Sequence, residues 1–167
     1  MKILILVRHA RAAAGKSYQR DYDRMLTSDG LEDIEAMSRW LVANVEAPDL
    51  MIVSAAKRTA MTAQVIMEAF AIDEASVDFT DTIFETDVAS VCNRIELLAS
   101  VETRTVMVVG HNPTMSQLLY HVTHHQVDVL PTCGVAIVEF DDTVTWNRMQ
   151  EGRVRTIATP KLIADDR

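Results

Sequence analysis

The chain has 167 residues, 49% of them apolar and spread along its whole length, which excludes an extended disordered protein and is enough to bury the core of one domain. Its 24 acidic and 16 basic side chains give a formal charge of −8, the wrong sign for a protein that wraps nucleic acid. The first apolar run meets Arg8 too soon for a signal peptide or a membrane span. Cys92 and Cys133 have no metal or redox spacing, so a reduced, cytoplasmic protein with no membrane partner is expected.

In chain order, Lys2–Val7 is rich in Ile, Leu and Val without polar alternation, the pattern of a central strand covered on both faces. It stops at Arg8-His9. Residues 8–24 then hold Arg8, Arg11, Lys16, Arg20 and Arg24 against Asp21 and Asp23, a positive island that suits an anionic ligand. Leu31, Ile34, Met37 or Ser38, Leu41 and Val45 follow a helical period, with Asp29 and Glu32 as the capping pair at its start. Leu50–Val53 is a second buried strand. Lys57–Phe70 is a helix of strong formers, and Val88–Ala99 is a third helix, with Val88, Val91, Ile95 and Leu98 on one side. Val106–Val109 is the third buried strand. It is followed by a helix over Pro113–Val122, with Pro113 in the first turn, where its missing N–H does no harm. Val135–Phe140 is a further strand, and Val144–Trp146 and Val154–Ile157, around Glu151-Gly152, read as edge strands. The alternation predicts an α/β protein: a three-layer α/β/α sandwich around a mostly parallel sheet, forming one domain over residues 1–167.

Ligands of such sheets bind at the carboxyl ends of the strands. Here the first strand runs into Arg8-His9, the second into Ser54-Ala55-Ala56-Lys57-Arg58, and the third into Gly110-His111-Asn112-Pro113. Taken singly, a histidine after a strand caps it, an arginine in a first helical turn is surface charge, and Gly110–Pro113 is a turn. On one edge of one sheet, two arginines, two histidines and a helix start make an oxyanion site.

"LVRHARA" resembles the Arg-His-Gly signature of the histidine phosphatase superfamily, whose fold is phosphoglycerate mutase-like. "DYDRMLTSDG" is similar to the Arg-x-Leu-Thr-x-x-Gly stretch of its short SixA-type phosphohistidine phosphatases. "DLMIVSAAKRTAMTAQVI", "TIFETD", "VMVVGHNPTMSQLL" and "PTCGVAIVEF" resemble later segments in the same order. The resemblance implies that His9 is the nucleophile, that Arg8, Arg58 and His111 bind the phosphoryl oxygens with Arg24 beside them, and that Glu85 is the acid. Protonation of Glu85 for that role would come from partial burial or from nearby Asp87. Ala10 stands where the superfamily signature has Gly, so the turn after His9 must form without positive φ.

A histidine nucleophile must be neutral, and the like charges of Arg8 and Arg58 would disfavour the cation of His9. Phosphoryl transfer needs mainly alignment and charge stabilisation, so no metal and no cofactor is expected. His121, His124 and His125 have a spacing that could hold a transition metal, but no Cys or carboxylate accompanies them, and histidines at a helix C-terminus complement its dipole. The expected partner is a phosphorylated protein carrying phosphohistidine. The alternatives are a small phosphate ester, or a module that binds phosphate or phosphoprotein without turnover. A mutase is disfavoured by the chain's length. Nothing in the sequence specifies an oligomeric state.

Overall fold

The computed structural model describes residues 1–124, 126 and 129–166. Strands β1 (Lys2–Arg8), β2 (Leu50–Ser54), β3 (Val77–Thr80), β4 (Thr105–Gly110), β5 (Val135–Phe140) and β6 (Arg153–Ala158) form one sheet of order β3-β2-β4-β1-β5-β6. The first four of that order run parallel to one another. β5 runs antiparallel to β1, and β6 antiparallel to β5. The helices are α1 (Ser28–Asn44), α2 (Lys57–Phe70), α3 (Val88–Leu98), α4 (Thr114–Val122) and α5 (Pro160–Asp165).

The unbroken apolar strands are explained by what covers them. Alternate residues of β1 divide between two cores: Ile5 and Val7 pack with Ile34, Met37, Leu41, Ala63, Ile66 and Ile163 from α1, α2 and α5. Leu4 and Leu6 pack on the other face with Val91, Ile95, Met115, Leu118 and Leu119 from α3 and α4. With period-two side-chain direction, a strand buried on both faces has no polar positions to offer. The result is the expected three-layer sandwich.

Four details differ from the sequence reading. Thr27, not Asp29, caps α1, its hydroxyl accepting from Gly30 N–H at 2.9 Å, while Asp29 lies in the first turn, where its charge complements the dipole. β3 was not foreseen, because four residues containing Asp78 carry too little pattern; Arg94 of α3 binds that carboxylate through two nitrogens. Residues 144–146 form no strand: Trp146 is buried in the α3/α4 core, its indole N–H donating to the Thr103 carbonyl at 2.9 Å. The short α5 was also missed; its cap is the Thr159 hydroxyl. Among the described residues no helix is long and apolar enough to cross a membrane.

Register sets the site. Arg8 lies opposite Gly110 and Ser54 opposite Thr80, so the ends of β1, β4, β2 and β3 reach one edge of the sheet together. β3 then delivers the 81–85 turn to that same edge, which brings in the acidic segment whose strand the sequence hid.

Candidate active site

His9 is held by backbone on both sides. Its N–H donates to Gly110 O at 3.1 Å, and its carbonyl accepts from Cys133 N–H at 3.1 Å. Ala10 is fully buried, lies outside the positive-φ residues, and donates its N–H to Thr62 Oγ1 at 3.1 Å, so the turn tolerates a methyl group there. The segment after it is clamped by the start of α1: Thr27 N–H donates to Arg11 O, and a Cβ on Gly30 would come within 2.3 Å of that oxygen. His9 Nδ1 lies 2.7 Å from the Ala10 carbonyl. A carbonyl only accepts, so Nδ1 carries the proton and Nε2 keeps its lone pair.

His111 leaves the end of β4 with its ring centroid 5.3 Å from that of His9 and 5.3 Å from the edge-on ring of Phe84. Its Nε2 lies 2.7 Å from the hydroxyl of fully buried Ser54, at the end of β2. Arg58, in the first turn of α2 and only 5% exposed, passes over Phe84 at 5.9 Å. Its Nη1 and Nη2 donate to the Asp21 carbonyl at 2.7 Å and to Asp21 Oδ2 at 2.9 Å. Arg8 Nη1 donates to Leu130 O at 3.2 Å. Among the described residues, Arg8 Nε, Arg58 Nε and His111 Nδ1 are buried and have no hydrogen-bond partner. Leaving such an atom unsatisfied costs about 1–3 kcal/mol, so three around one nucleophile are a set of donors suited to an oxyanion. His111 Nδ1 joins that set when Ser54 donates its hydroxyl proton to Nε2.

The family model of the histidine phosphatase superfamily (branch 1) matches residues 4–91, more than half of the chain and the part that contains Arg8, His9, Arg58 and Glu85. This chain belongs to the histidine phosphatase superfamily. It is similar, at 27% identity over 95% of this chain and 99% of the other, with a TM-score of 0.79, to a candidate phosphohistidine phosphatase SixA from Agrobacterium tumefaciens. A protein histidine phosphatase SixA complexed with tungstate shares the fold at a TM-score of 0.81 and 20% identity, over 96% of this chain and 99% of the other. A mycobacterial glucosyl-3-phosphoglycerate phosphatase shares it at 0.66 and 13% identity, over 92% and 97% of the two chains. The fold is therefore phosphoglycerate mutase-like, as the sequence reading expected.

Within this superfamily site both histidines are neutral near pH 7. Burial is the largest cause for His9, pushed down to about 4, with Arg58, Arg8 and Arg24 adding to it against the bond to Ala10. Burial also leads for His111, pushed down to about 3, aided by Arg58 and His9 and opposed by Asp21. The expected like-charge effect is thus real, but smaller than desolvation.

Two of the five cations of the positive island are paired from within it. Arg20 binds both oxygens of Asp23, and Arg24 Nε binds Asp21 Oδ1 at 2.8 Å. Burial works against the charge of Asp21, but the bonds and charges of Arg24 and Arg58 outweigh it and hold the carboxyl below its usual range. Arg24 therefore reaches the site through Asp21, as well as through its charge on His9. The start of α4 offers fewer free donors than expected. Pro113 stands at the N-cap, and the amides of Met115, Ser116 and Gln117 are taken by His111 O, Asn112 Oδ1 and Pro113 O.

Glu85 is exposed, in a left-handed conformation with φ 48°, and lines a cavity of about 630 Å³ with Arg20, Asp21, Tyr22, Asp81 and Phe84. The burial expected for it is not present. The Asp87 carboxylate is engaged at the start of α3, where it accepts from Ser90 N–H at 2.9 Å. Sequence reasoning gave no role to Ser54, Asp21, Tyr22 or Phe84. The spacing of Ser54 four residues before Arg58, across a strand-to-helix turn, was the available signal for the first. His121 and His124 are both exposed, and His125 lies outside the described residues.

Proposed function

We propose that this protein is a phosphatase that hydrolyses phosphohistidine in a phosphorylated protein through a phosphoryl group carried on His9. The observation that carries the reading is the His9 imidazole. Its Nδ1 proton is committed to the Ala10 carbonyl, and the ring is neutral in the presence of three arginine charges. A module that only bound phosphate would gain more from a charged histidine than from a buried neutral one.

In the first step the Nε2 lone pair of His9 forms a bond to phosphorus as the bond to the leaving group breaks, and the electron pair of that bond leaves with the group. Arg8, Arg58 and His111 donate to the phosphoryl oxygens, with Arg24 behind Asp21. Their positions precede the chemistry, so they stabilise the transition state without reorganisation. A water oxygen then bonds to phosphorus as the phosphorus–Nε2 bond breaks, its electron pair returns to Nε2, the water's proton passes to solvent, and neutral His9 and inorganic phosphate are left. Glu85, at the mouth, is the candidate donor of a proton to an ester's leaving oxygen. These parts need no metal or cofactor. Small phosphate esters are the second reading, supported by the shared fold of the mycobacterial glucosyl-3-phosphoglycerate phosphatase.

The test is phosphate release from a phosphohistidine protein and from a panel of small phosphate esters, with chelator present. Turnover of the phosphohistidine protein with the chelator inert is the expected result. Release from esters alone selects the second reading, and release from neither overturns both.

A further inference from the structure

The cavity between Arg20, Asp21, Tyr22, Asp81, Phe84 and Glu85 begins where the anion donors end. The ring of Phe84 touches His111 and lies under the Arg58 guanidinium, and Asp21 is bonded to Arg58. Phe84 and Asp21 thus join this cavity to Arg58 and His111, whose unpartnered nitrogens suit a phosphoryl group, so the cavity is available to that group's leaving part.

The charges lining the cavity do not cancel. Arg20 is paired with Asp23, and Asp21 with Arg24 and Arg58. Asp81 accepts from the Tyr22 hydroxyl at 2.6 Å, and neither it nor Glu85 meets a cation at ion-pair distance among the described residues. Two uncompensated carboxylates therefore stand at the mouth of a site whose floor is cationic. Between them Tyr22 and Phe84 pack edge to face, centroids 5.1 Å apart, and the Arg20 guanidinium already sits 5.6 Å from the Tyr22 ring. Aromatic faces beside carboxylates are a cation-accepting surface.

We infer that this cavity selects leaving groups by charge, accepting cationic ones and rejecting carboxylated ones, with Asp81 and Glu85 as the specificity-determining residues. The inference rests on the phosphatase reading of the same site. The matching substrate is a dipole, a phosphoryl dianion beside a positive charge, as in a protonated phosphoimidazole. That charge also has a chemical use. When His9 Nε2 bonds to phosphorus and the phosphorus–nitrogen bond breaks, its electron pair stays on the leaving ring. A ring already protonated on its other nitrogen departs as neutral imidazole, whereas an unprotonated ring would have to leave as an anion. Carboxylates beside the ring favour the protonated form.

The test uses three aryl phosphates that differ in the charge of one para substituent: 4-(aminomethyl)phenyl, 4-methylphenyl and 4-carboxyphenyl phosphate. kcat/KM is measured for the wild type, Asp81→Asn and Asp81→Lys, the first of which keeps an acceptor for the Tyr22 hydroxyl. The wild type is expected to prefer the cationic ester, then the neutral, then the anionic one. With about a twofold effect per exposed charge pair, Asp81→Asn should shrink the cation-to-anion ratio about fourfold and Asp81→Lys about sixteen-fold. The neutral ester should change less than about twofold, since it carries no charge for residue 81 to meet. A wild type that turns over the carboxylated ester as well as the cationic one overturns the inference. So does a ratio unmoved by both variants while the neutral ester is still hydrolysed, and in either case the phosphatase reading stands. Failure to hydrolyse any of the three overturns the inference alone when a phosphohistidine protein is still turned over, and overturns both when it is not.

Discussion

Moving from pH 7 to pH 5 is expected to destabilise this protein by about 4 kcal/mol through two histidines alone, half-buried His9 and buried His111. His9 and His111 have folded-state pKa values of about 4 and about 3, both below the ordinary 6.5. Below pH 6.5 the unfolded chain therefore binds protons that the folded chain refuses, so stability is fully present above that pH and is lost as pH falls toward the folded values. At pH 5 the unfolded imidazoles are almost fully charged and the folded ones almost fully neutral. Each site then costs about 2 kcal/mol relative to pH 7, whether its folded value is 3 or 4. Asp and Glu at their ordinary values are mostly ionised throughout this interval. The assay is urea unfolding at both pH values for the wild type, His9→Asn and His111→Asn, because the difference between wild type and variant cancels every other titrating group. Each variant should lose about 2 kcal/mol less than the wild type on acidification. A wild type equally stable at pH 5 and pH 7, or variants with the wild-type pH dependence, would refute the claim that both rings are held neutral by the fold.

Two further outcomes concern activity. Arg58→Ala should lower kcat/KM on the order of 10²-fold or more, because it removes a preorganised donor to the transition state. Lys57→Ala, at an exposed position one residue earlier, should stay within about twofold; comparable losses in steady-state assays would mean that the anion site lies elsewhere. Glu85→Gln should slow an alkyl phosphate strongly and phosphohistidine only slightly, since an alkoxide must be protonated as it leaves while an imidazole of pKa about 6.5 arrives partly protonated. Equal losses on the two substrates would assign Glu85 an orienting role, and no loss on either would remove it from the reaction.

What the sequence revealed followed the strength of local signals. β1, β2, β4 and β5 were legible because strands buried on both faces are written as unbroken apolar runs, and their ends placed His9, Arg58 and His111 together. The short β3 was hidden by Asp78, whose charge is neutralised by Arg94 from a helix 16 residues away, a contact no local pattern encodes. Thr27 was overlooked as a cap because Asp29 and Glu32 matched the motif in the wrong register; the choice is settled by the close approach of Arg11 to Gly30. At the site, charge type could be read but charge pairing could not. Arg20 and Arg24 read as free cations until the 21–23 turn folded Asp23 and Asp21 back onto them. Phe84 carries no chemistry that a sequence advertises, and acquires its part only from standing against His111.

Nε2 of His9 takes the phosphoryl group in the first step, and the phosphorylated enzyme can be trapped. Rapid acid-free denaturation of the wild type during turnover of a labelled substrate, followed by peptide mapping, should find the label on the peptide that contains His9, stable to base and labile to acid. His9→Ala should fold and carry none. Label on any other residue, or equal labelling of the wild type and His9→Ala, would show that His9 is not the nucleophile.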